Sequence, residues 1–219
     1  MHYFDAHLHL VDDDMILRAA NKGVRTFFVN AAKMSDWQPV LDQSNRLLGV
    51  YPCLGIHPWF IHEATPLWEN DLKQLLKENP MAMVGEIGLD GTKPNMEKQM
   101  DFFFRQMKIA DDMGRAVHIH CVKAWPQMLE ILGQFKGVKI LMHRFSGDEV
   151  LVQKLRFMNA YFSVLNANVL SVIPDNRVLV ETDAPDGLKS PEEIPFLVDR
   201  LQLQPDYIWQ NLELFLDGR

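Results

Sequence analysis

Cysteine is scarce in this chain. Its 219 residues include two, Cys53 and Cys121, and neither stands in a Cys-x-x-Cys pair. That excludes a secreted disulfide framework and argues against a thiolate zinc or dithiol redox site. Long apolar runs are missing as well. No stretch approaches the roughly 18 uninterrupted apolar residues of a membrane helix. The opening Met-His-Tyr-Phe-Asp carries neither the basic patch nor the apolar core of a signal peptide, so a cytoplasmic location without membrane contact is the expectation. Positive charge is in the minority, with 22 Lys and Arg against 29 Asp and Glu and a net charge of −7. A general cationic coat for nucleic acid is therefore absent, although a local basic rim is compatible with that sum. No internal repeat, linker or biased segment stands out. With 47% apolar and 23% charged residues, the composition is that of an ordinary globular protein. The length fits one domain over 1–219 that buries roughly 70% of its unfolded surface.

What is present is an alternation of short apolar runs with longer amphipathic ones. Strands are expected at Tyr3–His9, Thr26–Asn30, Val50–Ile56, Met81–Glu86, Ala116–His120, Lys139–His143, Tyr161–Val164 and Val178–Glu181. Helices fall between them, the longest over Met96–Met113, with a last one over Glu192–Leu201 and a tail after Pro205. Such β–α alternation predicts a parallel sheet with helical crossovers, and eight strands predict closure into a (β/α)8 TIM-like barrel. The barrel is lean, since about 250 residues are typical. The squeeze falls on Leu165–Asn176, where distortion around strands seven and eight is expected. An open doubly wound sheet is the alternative, because a crossover pattern alone does not separate the two.

The eight histidines carry the chemical signal. In Phe4-Asp5-Ala6-His7-Leu8-His9, alternate strand residues share a face, so His7 and His9 point together into the barrel mouth. A lone His-x-His is weak evidence. Its weight comes from the other strand ends. Strand four ends at Glu86 between glycines, where a carboxylate can bridge two cations through its two oxygens. Strand five ends at His120, strand six at His143 and strand eight runs into Asp183. Barrel enzymes keep their active sites at the C-terminal ends of the strands. Four histidines and two carboxylates converging there form the outline of a two-metal hydrolytic centre.

The segments FDAHLHL, LGIHP, GEIGLD, HIHC, HRFSG and VETDAP, in this order from Asp5 to Pro185, resemble those of the TatD-type metal-dependent hydrolases of the amidohydrolase superfamily, and NLELF resembles that family's closing helix. The resemblance implies a (β/α)8 barrel, one or two divalent cations, and phosphoester hydrolysis by a metal-activated water, commonly as a deoxyribonuclease. Carried over by position, His7 and His9 hold the first metal, Glu86 bridges, and His120 with His143 completes the second. Asp183 ligates the first metal and acts as general base, so that Asp183 and Glu86 are the catalytic carboxylates. His57 meets substrate or water. Asp5 reads at least as well as a buried support of the strand end as it does as a ligand. His118, one layer below the mouth, reads as a core histidine or one that stands behind a ligand, ahead of a ligand role itself. Mixed nitrogen and carboxylate ligands suit zinc, manganese, nickel or iron more than magnesium.

This chain also departs from the family pattern. Val122 stands where an arginine is common, Arg144 where a cysteine is common, and the substrate loop after Pro185 is not recognisable in Asp186–Pro191. Lys33, Lys93, Lys123, Arg144 and Lys189 each follow a strand end and should rim one mouth. Arg144 and Lys123 are the candidate anion-binding residues. Arg144 reaches the mouth only if the chain has already turned; otherwise it pairs with Asp148 or Glu149 on the surface. Trp59, Phe60 and Trp125 lie in mouth loops, where they either stack a base or pack. The expected substrate is a small phosphorylated molecule or a nucleic-acid end, with no obligate protein partner. Amide or carboxyl-ester hydrolysis, and a catalytically weak metal-binding scaffold, remain as alternatives.

Overall fold

Apolar runs with period two or none become strands here because both of their faces are covered. A computed structural model describes residues 1–217. Its strands are β1 (Tyr3–Leu8), β2 (Val24–Asn30), β3 (Val50–Leu54), β4 (Met83–Asp90), β5 (Val117–Val122), β6 (Ile140–Met142), β7 (Ala160–Val164) and β8 (Val178–Val180). All neighbours pair in parallel, and the strand order is the chain order, one to eight. A doubly wound sheet reverses its strand order partway across, so this topology is the barrel. The helices are α1 (Asp13–Asn21), α2 (Met34–Arg46), α3 (Trp68–Glu78), α4 (Met96–Asp112), α5 (Trp125–Leu132), α6 (Glu149–Arg156), α7 (Ile194–Arg200) and α8 (Pro205–Leu216). No helix among the described residues is long and apolar enough to cross a membrane.

The shortening between β7 and β8 removes helix and leaves the sheet regular. Two single 3-10 turns, Ala167–Val169 and Asp175–Arg177, replace the crossover helix, while β7 and β8 keep a continuous register from Phe162 to Val164. The irregularity lies one step further on. β8 does not pair with β1 as a strand. That seam is bridged by Asp183 N–H to the His7 carbonyl and His9 N–H to the Ala184 carbonyl, both 2.8 Å. Deeper in the seam the Asp5 side chain does the work of a neighbouring strand: Oδ1 accepts Thr182 N–H at 2.9 Å and Oδ2 accepts the Thr182 hydroxyl. Asp5 is therefore the buried support, and burial pushes its carboxyl up to about 8. Asp5→Ala leaves the buried Thr182 N–H without an acceptor, which typically costs about 1–3 kcal/mol. A denaturant midpoint equal to that of the unaltered protein would show that the seam does not depend on this carboxylate.

The stretch after Pro205, a tail by its local signals and a closing helix by the resemblance of NLELF, is helix α8, started by a proline at its first turn. Ile208, Leu212 and Phe215 recur at helical spacing and are buried. Phe215 closes the base of the barrel against Phe28, Tyr161 and His118. His118 is a core histidine as expected, fully buried between Phe28, Phe215 and the ring of His7.

Helix α4 also fixes two strand ends. Its buried Gln106 accepts Ile56 N–H at 2.7 Å and donates to the Ile56 carbonyl, locking the residue before His57. Gln99, seven residues earlier on the same helix face, does the same for the backbone of Asp90.

Candidate metal centre

Glu86 lies on β4 in the middle of the mouth, with 1% exposure. Its strand runs against β5 closely enough that a Cβ on Gly88, at φ +145°, would sit 1.9 Å from the His120 carbonyl oxygen. Only glycine fits there. The two oxygens of Glu86 face different partners. Oε2 lies 3.5 Å from His7 Nε2 and 3.3 Å from His9 Nε2. The same two nitrogens are 3.9 and 3.6 Å from Asp183 Oδ1. Oε1 lies 3.1 Å from His120 Nδ1, 3.1 Å from His143 Nε2 and 3.5 Å from His57 Nε2. One carboxylate thus stands between two sets of donors, the arrangement expected of a bridge.

The ring tautomers sort these histidines further. His9 Nδ1 lies 3.0 Å from the Asn30 carbonyl, an acceptor only, so Nδ1 carries the proton and the lone pair of Nε2 faces the mouth. His57 is the reverse: its Nδ1 accepts Trp59 N–H at 3.2 Å, which places the proton on Nε2, facing Glu86. In that tautomer His57 Nε2 donates toward Glu86, and His57, Glu86 and His120 also lie close enough together to hold a cation. Carboxylates stand behind the two outer histidines, with Glu181 Oε2 3.6 Å from His143 Nδ1 and Asp90 Oδ2 3.8 Å from His120 Nε2. Such partners orient ligating imidazoles and raise their basicity.

The electrostatics are those of a site built for added positive charge. Burial pushes Glu86 up, but the imidazoles of His143, His57 and His120 outweigh it and hold the carboxyl well below its usual range. Burial, with His143 beside it, keeps His7 neutral, well below the usual histidine range. Burial likewise lowers His57. Burial opposes protonation of His143, yet Glu86 and Glu181 raise it well above the histidine range. Burial, reinforced by Glu181 and Glu86, pushes Asp183 up to about 6. Among the described residues, both ring nitrogens of His7, Nε2 of His120 and Oε1 of Glu86 are buried without a hydrogen-bond partner. Buried polar atoms without partners are costly; a divalent cation in the mouth would satisfy His7 Nε2 and Glu86 Oε1, whereas His120 Nε2 faces Asp90. The residues therefore fit one or two cations, with His7, His9 and Asp183 able to converge on one point.

Arg144 has turned into the mouth. Its φ of 44° is left-handed, as are those of Asp183 at 50° and Lys123 at 49°, each at or just beyond the end of a strand. Such conformations cost roughly 1–3 kcal/mol each and cluster at functional sites. Arg144 N–H donates to Glu181 Oε1 at 2.5 Å, and the guanidinium Nη1 reaches Asp183 Oδ2 at 2.9 Å. Neither surface partner considered from the sequence is used: Asp148 caps α6 by accepting Leu151 N–H at 2.9 Å. Lys123 is exposed in the turn after β5. Trp125 packs edge-on against buried Phe145, whereas Trp59 is 47% exposed beside His57.

Sequence reasoning gave no role to Asp90, Glu181 or Asn30. Asp90 follows Glu86 by four residues on one strand and Glu181 precedes Asp183 by two, so strand parity was the available signal for both. Asn30 acts through its backbone, which no side-chain motif reveals.

A family model described as TatD related DNase matches residues 4–216. An uncharacterized metal-dependent hydrolase, YjjV of Escherichia coli, is 26% identical over 208 residues, covering 84% of this chain and 80% of that protein. A protein named 3'-5' ssDNA/RNA exonuclease TatD, from Cronobacter sakazakii, is 26% identical over 192 residues, covering 79% of this chain and 72% of that protein. The crystal structure of E. coli YjjV superposes with a TM-score of 0.86 at 23% identity, covering 97% of this chain and 95% of that one. With this match along nearly its whole length, and with histidines and carboxylates gathered at one barrel mouth, the chain belongs to the TatD-related DNase family of metal-dependent hydrolases.

Proposed function

We propose that the chain is a phosphodiesterase acting on a nucleic-acid end or a small phosphorylated substrate, with His7, His9, Glu86, His120, His143 and Asp183 as the metal ligands. The observation that carries this reading is Glu86, whose two oxygens each face a separate group of imidazoles. Bound divalent cations supply Lewis acidity, polarising a phosphoryl oxygen and making water acidic enough to ionise near neutral pH. Zinc, manganese, nickel or iron suits this donor set better than magnesium. Asp183 presents Oδ1 to the mouth, where it orients the attacking water and takes its proton. His57 Nε2–H donates to an oxygen in the mouth. Arg144, held by Glu181 through its backbone, presents a guanidinium to the phosphate, replacing the charge that Val122 cannot provide. Lys123 adds a second cation at the rim.

Two measurements test the reading. In a panel of phosphodiester, amide and carboxyl-ester substrates, only the phosphodiesters should be turned over; hydrolysis of the amides alone would contradict it. Arg144→Ala should raise KM about tenfold or more and change kcat less, the pattern of lost ground-state binding. A fall in kcat at constant KM would instead mean that Arg144 acts through Asp183.

A further inference from the structure

The exposed ring of Trp59 lies outside the residues used so far, above the Asp90 carboxylate that stands behind His120. Trp59 follows His57-Pro58 in the loop after β3, and its ring centroid is 5.1 Å from that of His57 and 6.2 Å from that of His120. A half-exposed tryptophan usually keeps its N–H toward water. Here Nε1–H points inward and donates to Asp90 Oδ2 at 2.7 Å. Asp90 is itself fixed, accepting the backbone N–H of Thr92 at 2.8 Å and its hydroxyl at 2.6 Å, and its backbone is held by Gln99. The ring is thus immobilised before anything binds, and about half of the residue's surface, 47%, stays exposed. Lys93 Nζ lies over one face of the ring, 4.5 Å from its centroid, so a stacking base would displace that ammonium or use the other face. The next residue, Phe60, pairs similarly with Lys33 Nζ at 5.5 Å.

We propose that Trp59 is a nucleobase platform, so that the site selects phosphoesters bearing a flat aromatic base over those carrying only a sugar. The proposal rests on the phosphoesterase reading and narrows its substrate class. An aromatic ring stacks any base through its π-face, which gives affinity without sequence preference. A ring already fixed loses little conformational freedom on binding. The adjacent lysines supply cations for the phosphates that accompany each base. Asp90 is the positioning residue. It fixes the ring, and it stands behind His120, so the platform and the candidate metal ligand share one brace.

The test is calorimetric binding of thymidine monophosphate and of deoxyribose phosphate to the protein carrying its own metal complement. The variants are Trp59→Leu, which removes the ring, and Trp59→Phe, which keeps a ring and removes the N–H. Melting curves confirm that both variants fold. The unaltered protein should bind the nucleotide at least about tenfold more tightly than the sugar phosphate, in line with the usual value of one stacked base. Trp59→Leu should abolish that ratio and Trp59→Phe should retain most of it. Equal affinity for both ligands in the unaltered protein, or a full ratio in Trp59→Leu, overturns the platform and leaves the phosphoesterase reading standing. Failure to bind either ligand overturns the phosphoesterase reading and the platform with it.

Discussion

Asp183→Asn should lower turnover about 10²–10⁴-fold, the usual cost of losing a general base, with the fold unchanged. Asparagine keeps the size of the side chain and the backbone geometry while removing the charge. It tolerates the left-handed φ of 50° at this position as readily as aspartate, its backbone still donates to His7, and its amide oxygen can still accept from Arg144. What it loses at Oδ1 is the ability to take a proton from water, and with it a charged donor to the cation site of His7 and His9, so the rates are compared at saturating metal. Single-turnover rates together with near-ultraviolet dichroism check both halves of the expectation. Turnover within a few-fold of the unaltered enzyme would remove Asp183 from the base role.

Glu86→Gln should have the larger effect, because it acts on both donor sets at once. Changing an outer-sphere partner of a metal ligand typically costs 10–100-fold in affinity. Loss of a bridging carboxylate should exceed that, by roughly 100-fold or more for each cation, and turnover should fall to background. The amide keeps the size of the side chain but loses its charge and one of its two acceptor oxygens. The five imidazoles around it would then stand about one nitrogen donor that no longer offsets them. Metal titration followed by calorimetry measures the change. Retention of both cations at unaltered affinity would show that Glu86 does not bridge.

Much of this centre was legible because strand ends obey a simple geometry. Parity put His7 with His9, and the C-terminal rule put Glu86, His120, His143 and Asp183 at one mouth; the distances around Glu86 agree. Alternation made a parallel sheet with helical crossovers legible, and the count of eight strands pointed to closure into a barrel, whereas the β8–β1 seam was not legible. No local pattern says that Asp5 will hold Thr182 across a gap of 177 residues in sequence. Helix α8 was read as tail from local signals after Pro205, although the resemblance of NLELF to a closing helix pointed to it. Arg144 was left between two readings. Its outcome depends on a left-handed turn at a non-glycine residue, which sequence signals only weakly. Tautomers were beyond reach in principle, since the His57 proton is set by the backbone of Trp59 and that of His9 by the backbone of Asn30.

The central claim is that one carboxylate holds two cation sites apart and together. Elemental analysis of the purified protein, chelated and then equilibrated with zinc or manganese, addresses it directly, with the His7→Ala, His9→Ala double variant alongside. The account predicts up to two cations per chain in the unaltered protein and one fewer in the double variant, with the site at His120 and His143 retained. A chain that stays metal-free in excess cation, or a double variant that binds as many as the unaltered protein, would contradict it.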